Sequence, residues 1–317
     1  MTRDGRAEIV LAVDLSSGST CTGTAQRGVC EGVPGALVET AVLPTKAHHA
    51  ALDGSPIWLA SGGTLELWQR DSSGSPHLLS RASLGEGITA LAARSGVTLV
   101  GSRRGLTPAI AKDAGLQGGA ALPLCGTPVQ MAPMGDDLWA VRTTLGLAFV
   151  ELSEPPKASL VGMWSLSPLG GGGMAPVRLN ALSLAACRLL DLVATPIFAL
   201  GLGSPAIAPL GPERLAVAHG QALWELDTRA FEWPRVQGAM ATNAYLDALW
   251  VDEPRGRLYG LGRRGLSPYK PIIDMWGAAP KLMGEHDIAQ RVLRSDEGRL
   301  SLRLRSDGRP ELAEVAR

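Results

Sequence analysis

One pattern recurs seven times along this chain: an apolar stretch, a tight turn that contains glycine, and a second apolar or mixed stretch. The turn glycines are Gly18, Gly63, Gly105, Gly146, Gly220, Gly265 and Gly308. Successive glycines are 45, 42, 41, 74, 45 and 43 residues apart. Two apolar stretches joined by a Gly-bearing turn are typical of an antiparallel hairpin. The chain is therefore predicted to be built from repeated hairpins of nearly constant spacing.

Further strand candidates accompany most hairpins, one before the hairpin, as in 88–93, and one after it, as in 120–126. Four short strands in a repeat of about 40–45 residues are typical of a β-propeller blade. The prediction is an all-β fold, a seven-bladed β-propeller that occupies residues 1–317 as a single domain, with a six-bladed ring as the alternative. The first and last copies are each one strand short. Because open sheet edges are a liability, we expect these two copies to lie side by side.

The step of 74 residues indicates an insertion, which we place at 168–203 between the fourth and fifth blades. Its segment 177–193 lacks Gly and Pro and is rich in Leu and Ala, which predicts a helix that ends before Pro196. Arg188, Asp191 and Pro196 argue against a membrane span. We expect the helix to pack across one face of the ring, with docking of a partner or contact with lipid as alternatives.

Charge and cysteine usage limit the partners and the compartment. The chain has 30 basic and 30 acidic residues, so it lacks the basic field that nucleic-acid binding requires. Its first residues do not resemble a signal peptide. Its four cysteines, Cys21, Cys30, Cys125 and Cys187, contain no CxxC pair and are too few for a disulfide framework. We expect free buried thiols and a cytoplasmic location, with a pairing of Cys21 and Cys30 across a hairpin left open.

The segment GLAFVELSEPPKASLVGMW (146–164) resembles an LVIVD repeat, a propeller motif in which an apolar strand leads through an acidic, Ser- and Pro-containing turn to LVG. The resemblance covers one repeat of the seven. It implies a propeller and no specific activity, because the shared residues are those of packing and turns.

A second segment, IVLAVDLSSGSTCTGTA (9–25), is similar to the first phosphate-binding loop of sugar kinases and actin-like ATPases. That resemblance implies that Asp14 positions Mg²⁺ and that the turn 16–20 holds phosphates. The segment 171–198 is similar to the Gly-rich adenosine motif of the same proteins. The two segments are closer together than that fold requires, and the sevenfold spacing would have no explanation. The kinase interpretation is therefore the third alternative.

Residues for catalysis, cofactor binding or metal binding are not indicated. The only local cluster of histidines is His48 and His49, and adjacent residues of a strand point to opposite faces. Two asparagines in the chain make a calcium site of the lactonase type hard to assemble. There is no G-x-S-x-G nucleophile motif. A hydrolase or lyase with its site at the mouth of the central channel is kept as the second alternative.

Candidate partner-binding residues come from one duplication and from tryptophan. GSRRGLTP (101–108) and GRRGLSP (262–268) place an arginine pair at equivalent hairpin turns, where the pairs could bind a carboxylate-rich partner. Three tryptophans lie in less regular segments and are expected to be exposed binding anchors. The candidate residues are Arg103, Arg104, Arg263, Arg264, Trp164, Trp233 and Trp276.

The sequence thus favours a non-catalytic propeller scaffold that binds other proteins and needs no cofactor. The closest functional analogy is at the level of fold, to propeller subunits of bacterial systems that pair an AAA ATPase with a von Willebrand A-domain protein. The composition, rich in Ala, Gly, Leu and Arg, is consistent with a G+C-rich bacterial genome.

Overall fold

The structure is a computed structural model. It describes residues 9–14, 19–24, 27–30, 36–42, 47–52, 56–70, 76–112, 115–135, 137–166, 174–199, 206–231, 234–252, 257–265, 267–285, 293–294, 300–304 and 310–315. Among these residues, secondary structure is almost entirely β, with one long helix.

The described strands form five sheets that follow one another along the chain and a sixth that combines the two ends. The first four strands are β1 (Ile9–Asp14), β2 (Ser19–Thr24), β3 (Arg27–Cys30) and β4 (Ala36–Val42). The first sheet contains β5 (His49–Leu52), β6 (Ile57–Ser61), β7 (Thr64–Arg70) and β8 (Pro76–Ser83). The second contains β9 (Ile88–Arg94), β10 (Val97–Ser102), β11 (Gly105–Lys112) and β12 (Gly115–Gly118).

The third sheet contains β13 (Pro128–Pro133), β14 (Leu138–Thr143), β15 (Gly146–Glu154), β16 (Lys157–Leu166) and β17 (Met174–Pro176). After the helix α1 (Ala181–Ala199), the fourth contains β18 (Ile207–Gly211), β19 (Arg214–His219), β20 (Ala222–Asp227) and β21 (Arg235–Ala241). The fifth contains β22 (Tyr245–Asp252), β23 (Arg257–Arg264), β24 (Ser267–Tyr269), β25 (Pro271–Asp274) and β26 (Lys281–Glu285). The last strands are β27 (Leu293–Arg294), β28 (Leu300–Leu304) and β29 (Pro310–Val315).

The sheets are arranged as propeller blades. Each is antiparallel, and the first strands β5, β9, β13, β18 and β22 lie beside one another in that order. The second strands are buried on both faces: Ile57, Trp58, Leu59 and Ala60 of β6 have almost no exposed surface. A strand that is covered by a neighbouring sheet on each side has a nearly continuous apolar sequence. This explains why apolar and polar residues do not alternate along these strands.

The first and last copies of the hairpin share the sixth sheet, here called the closing sheet. Its order is β1-β2-β3-β4-β29-β28-β27, and β4 pairs with β29 from Leu37–Val315 to Val42–Glu311. The expectation that the two end copies lie side by side is therefore confirmed. The described strands make six sheets rather than seven because the β1–β2 hairpin extends the closing sheet instead of forming a blade of its own. The predicted number of seven blades is not confirmed.

The turns between the second and third strands of the sheets lie on one face of the molecule, together with the loops that connect successive sheets. Backbone hydrogen bonds join turn and loop: Leu84 N donates to Gly63 O at 2.8 Å, and Thr144 N donates to Thr127 O at 2.9 Å. We call this side the hairpin-turn face. Gly105 shows why its turns need glycine, since φ is +123° there and an added Cβ would overlap the carbonyl oxygen of Leu122.

Helix α1 lies within the predicted insertion. Its start is a capping box, in which Asn180 Oδ1 accepts a hydrogen bond from Ser183 N at 2.9 Å and Ser183 Oγ accepts one from Asn180 N at 2.8 Å. The predicted helix is confirmed, but its predicted end is wrong, because the helix continues through Pro196 to Ala199 at the loss of one N–H donor. No helix in the described part of the chain is both long and apolar enough to cross a bilayer.

The sugar-kinase interpretation does not fit this fold. Within the segment 9–25, strands β1 and β2 do pair, with Asp14 opposite Ser19, but they belong to the closing sheet of an all-β array. The segment 171–198 contains α1, which belongs to the loop between two antiparallel sheets rather than to an α/β lobe. The side chains of the predicted phosphate-binding turn are outside the described residues.

Candidate partner-binding site

A groove with a volume of about 570 Å³ opens between the fourth and fifth sheets. Strands β19, β20 and β21 supply one wall, and the turn between β25 and β26 supplies the other. The lining residues include Arg214, Glu225, Gln237, Gly238, Trp276 and Gly277. The groove therefore combines an ion pair, an amide, backbone surface and an aromatic ring.

Arg214 ties the two walls together. Its Nε donates to Glu225 Oε1 at 2.8 Å, and its Nη2 lies 2.6 Å from the same oxygen. Nη2 also donates to the carbonyl oxygen of Met275 at 2.5 Å, across the gap between the sheets. The Glu225 side chain is 8% exposed, so its negative charge is buried and needs this partner. The Arg214–Glu225 pair is thus connected to the second wall through the Met275 carbonyl group.

Trp276 is held at the rim of the groove by its own turn. Asp274 Oδ1 accepts hydrogen bonds from the backbone N–H of Trp276 at 2.9 Å and of Gly277 at 3.2 Å. The indole is partly buried against the core of the fourth and fifth sheets, and its ring centre lies 5.8 Å from the guanidinium carbon of Arg214. These contacts thereby fix one side of the indole ring, while the Trp276 side chain stays partly exposed to solvent.

A second charged pair, Arg229 and Asp227, lies on the fourth sheet and contacts Gln237 of the groove. Arg229 binds the Asp227 carboxylate through Nε at 3.0 Å to both oxygens and through Nη2 at 2.5 Å, and Gln237 Nε2 donates to Asp227 Oδ2 at 3.0 Å. The hydrogen bonds from Arg229 hold the pKa of the Asp227 carboxyl well below its usual range. Asp227 therefore stays ionised at neutral pH.

The three predicted tryptophan anchors have different outcomes. Trp276 lies at the groove, as just described. Trp164 is 4% exposed, so the expectation that it is an exposed anchor is wrong. It lies on the long strand β16, and its side chain packs in the core cluster between the third and fourth sheets, which includes Phe149 and Trp224. Trp233 is outside the described residues.

The two arginine pairs lie on the hairpin-turn face, at the turns of the second and fifth sheets, and all four side chains are exposed. Two of the four are already engaged. Arg104 Nε is 2.5 Å from Glu86 Oε1, and the guanidinium carbon of Arg264 lies 4.0 Å from the ring centre of Tyr269. Arg103 of the turn and Arg263 near the end of β23 are the members of each pair for which no ion pair is described.

The expectation of free thiols is wrong for Cys125 and Cys187, which form a disulfide across a sequence separation of 62 residues. The bond joins α1 to the loop that precedes β13. Disulfides persist mainly in oxidising compartments, so the cysteine count no longer supports a cytoplasmic location. Cys21 and Cys30 are paired residues of strands β2 and β3, as the open alternative required.

A second attachment of α1 to the sheets was not predicted from the sequence. Asp191 accepts hydrogen bonds from the hydroxyl of Thr127, at 2.5 Å, and from that of Thr144. Because Cys187 and Asp191 are four residues apart, both attach the same face of the helix to the hairpin-turn face of the third sheet. The sequence signal that was available for this attachment is a cysteine and an aspartate at positions i and i+4 of an apolar helix.

The environment of His49 predicts that the stability of the protein depends on pH. His49 lies on β5 opposite Ala60, and burial, with a smaller effect of His48, lowers the pKa of its imidazole below 6.5. As the pH falls below 6.5, the unfolded chain binds a proton that the folded protein does not, so stability decreases. We expect His49→Gln to lose less stability than wild type between about pH 7.5 and about pH 5.5 in urea unfolding. His48→Gln is the exposed control, and equal pH dependence in all three proteins would contradict the prediction.

The described residues contain no group of three or more His, Cys, Asp and Glu side chains placed to hold a metal ion. Comparison with known proteins gives similarity in structure and none in sequence: no family model and no curated protein matches the chain.

The solved structures that are similar to this chain include β-propeller domains and WD40 repeats. The WD40 repeats of RRP9 match with 7% identity and a TM-score of 0.56, over 99% of this chain and 96% of that one. The β-propeller domain of Cps50 (Swd1) from Myceliophteria thermophila matches with 9% identity and a TM-score of 0.52, over 83% and 81% of the two chains. A functionally unknown protein from Desulfotomaculum acetoxidans matches with 11% identity and a TM-score of 0.54, over 93% and 88%. At these identities the similarity shows the fold alone.

Proposed function

We propose that this β-propeller is a non-catalytic scaffold that binds a protein partner in the groove between its fourth and fifth sheets. The observation that carries the proposal is the groove itself, where a half-buried tryptophan lies beside a fixed arginine. Tryptophan and arginine are the residues that most often dominate the energy of protein interfaces. Paired charges around an aromatic anchor resemble the polar rim and apolar centre of such interfaces.

The partner we expect is a segment that inserts an apolar side chain against Trp276 and makes hydrogen bonds to the polar wall. The charged residues that line the groove, Arg214 and Glu225, form an ion pair with each other, so the groove presents little net charge. The arginines at the hairpin turns remain candidate contacts for acidic groups. The finer proposals are that the segment 146–164 is an LVIVD-type repeat and that the assembly is a bacterial, ATPase-associated system.

A photo-crosslinking experiment tests the groove. A benzoylphenylalanine residue placed at Gln237, which is exposed on β21, should capture a specific protein in extracts of the source cells. The same probe at Leu79, exposed on β8 of the first sheet, is the matched control. We expect Ala278→Glu, which puts a charge into the groove from an exposed position, to reduce capture about tenfold.

Trp276→Ala should have the same effect, and Ala278→Glu distinguishes loss of binding from loss of folding because the exposed residue contributes no core packing. The proposal fails if the Gln237 probe captures nothing beyond what the Leu79 probe captures. It also fails if capture is unchanged in both groove variants.

A further inference from the structure

Helix α1 turns its apolar side chains away from the protein. Leu182, Leu189 and Val193 are 82%, 69% and 65% exposed, and Leu190 and Leu192 are also more than half exposed. Residues at positions i, i+7 and i+11 lie along one face of a helix, so the first three form a continuous stripe. A contiguous exposed apolar surface marks an interaction site rather than an ordinary protein surface.

The anchors on the opposite face impose this orientation. Cys187 is covalently bound to Cys125, and Asp191 is hydrogen-bonded to Thr127 and Thr144. Asp191 is the sole carboxylate in the sequence of α1. The helix therefore directs its acidic group toward the protein and its leucines toward solvent, the reverse of an ordinary surface helix. Rotation of the helix to bury the leucines would break both attachments.

The surroundings of the apolar stripe are positively charged. Arg188 is exposed on α1, and Arg178 is exposed just before its capping box. Arg103 is exposed at the hairpin turn of the second sheet, which lies next to the third sheet. A partner that covers this surface must consequently offer both apolar groups and negative charge.

Carboxylates do not neutralise this face. Its described turns and connecting loops contain two, Glu86 and Asp191, and both are engaged, the first with Arg104 and the second with two threonines. Asp247 and Glu285 lie near strand ends of the fifth sheet, at a different position on the ring from the third sheet that carries α1.

We propose that α1 docks this protein on the surface of an anionic lipid bilayer, with its leucine stripe in the acyl boundary and its arginines at lipid phosphates. An interfacial helix buries its apolar face by about 5–10 Å, and basic residues beside it add electrostatic attraction to anionic lipid. A second copy of the chain is a poorer occupant, because pairing two such faces would bring their arginines together. The proposal is independent of the groove, which is lined by other residues.

Sedimentation of the full chain with lipid vesicles tests the proposal. We expect wild type to bind vesicles of phosphatidylcholine and phosphatidylglycerol in about a 3:1 ratio, and to bind pure phosphatidylcholine more weakly. Binding should decrease as salt is raised. The double variant Leu189→Ser with Val193→Ser should reduce partitioning about tenfold or more, because it removes apolar surface from the lipid-facing stripe. Both positions are exposed, so the fold should be retained, which circular dichroism checks.

Three controls make the result specific. Leu79→Ser changes an exposed leucine far along the ring and should bind as wild type does. Arg178→Glu with Arg188→Glu should weaken binding to the anionic vesicles and reduce the loss of binding that added salt causes. Trp276→Ala should bind vesicles normally, which separates this proposal from that of the protein-binding groove.

The proposal is overturned if wild type binds neither vesicle, or if the serine variant binds as well as wild type. It is equally overturned if α1 is instead covered by a second copy. Analytical ultracentrifugation would show this as a dimer that Leu189→Ser with Val193→Ser dissociates.

Discussion

Replacement of Arg142 by alanine is expected to lower the free energy of unfolding by about 3–5 kcal/mol. Arg142 is 1% exposed and lies near the end of β14, in which residues 139–143 are all buried. Its Nη1 donates to the carbonyl oxygens of Thr143 at 2.7 Å and Gly146 at 2.5 Å, and its Nη2 is 3.2 Å from His219 Nδ1. Alanine would remove these donors and leave a cavity between the third and fourth sheets.

Urea unfolding of Arg142→Ala and Arg142→Met measures separately the contribution of the lost hydrogen bonds and the contribution of the cavity. Methionine has a similar length and refills most of the volume, so it should recover the part of the loss that comes from the cavity. The remaining loss reports the hydrogen bonds to the turn and to His219. A loss below about 1 kcal/mol in the alanine variant would show that the buried guanidinium is not a structural link.

Replacement of Cys125 and Cys187 by serine together should lower the free energy of unfolding by about 2–4 kcal/mol. The disulfide closes a long loop, with a sequence separation of 62 residues, and both cysteines are buried. Without it, Asp191 and the packing of Ala194 would still hold α1, so the sheets should remain folded.

Thermal and urea unfolding measure the loss, and hydrogen exchange should show it concentrated in α1. Wild type treated with a reductant is the matched control, since it should approach the double variant. If thiol labelling of the denatured, unreduced protein modifies Cys125 and Cys187, the disulfide and the prediction are both wrong.

The regular features of the fold could be predicted from the sequence because they depend on local signals. The turns at Gly63 and Gly105 lie between apolar stretches, and the structure has β6–β7 and β10–β11 hairpins there. The helix of the insertion was predictable from a run without Gly or Pro. Its extension to Ala199 was not, because a proline near the end of a helix removes one donor without preventing the last turn.

The features that define the two proposed surfaces depend on tertiary contacts. The partners Cys125 and Cys187 carry no signal of their distance in space, and their spacing matches no disulfide framework. Arg214 and Glu225 lie on adjacent strands, but only the approach of the fifth sheet turns them into a groove wall. Trp276 was predicted as an anchor from its irregular context, and Trp164, chosen on the same grounds, is buried because the fourth sheet packs against it, a contact between sheets that the local sequence does not indicate.

The pairing of β4 with β29 joins segments 36–42 and 310–315, which are almost the whole chain apart. Such a contact gives the fold a high contact order, and the loop-closure entropy must be overcome before that pairing contributes any stability. During synthesis, β4 leaves the ribosome long before its partner strand exists. Its unpaired edge is then open to other chains. Refolding should therefore be slow and should depend on the protein concentration. Its last step should be the joining of the two ends rather than the formation of any single sheet.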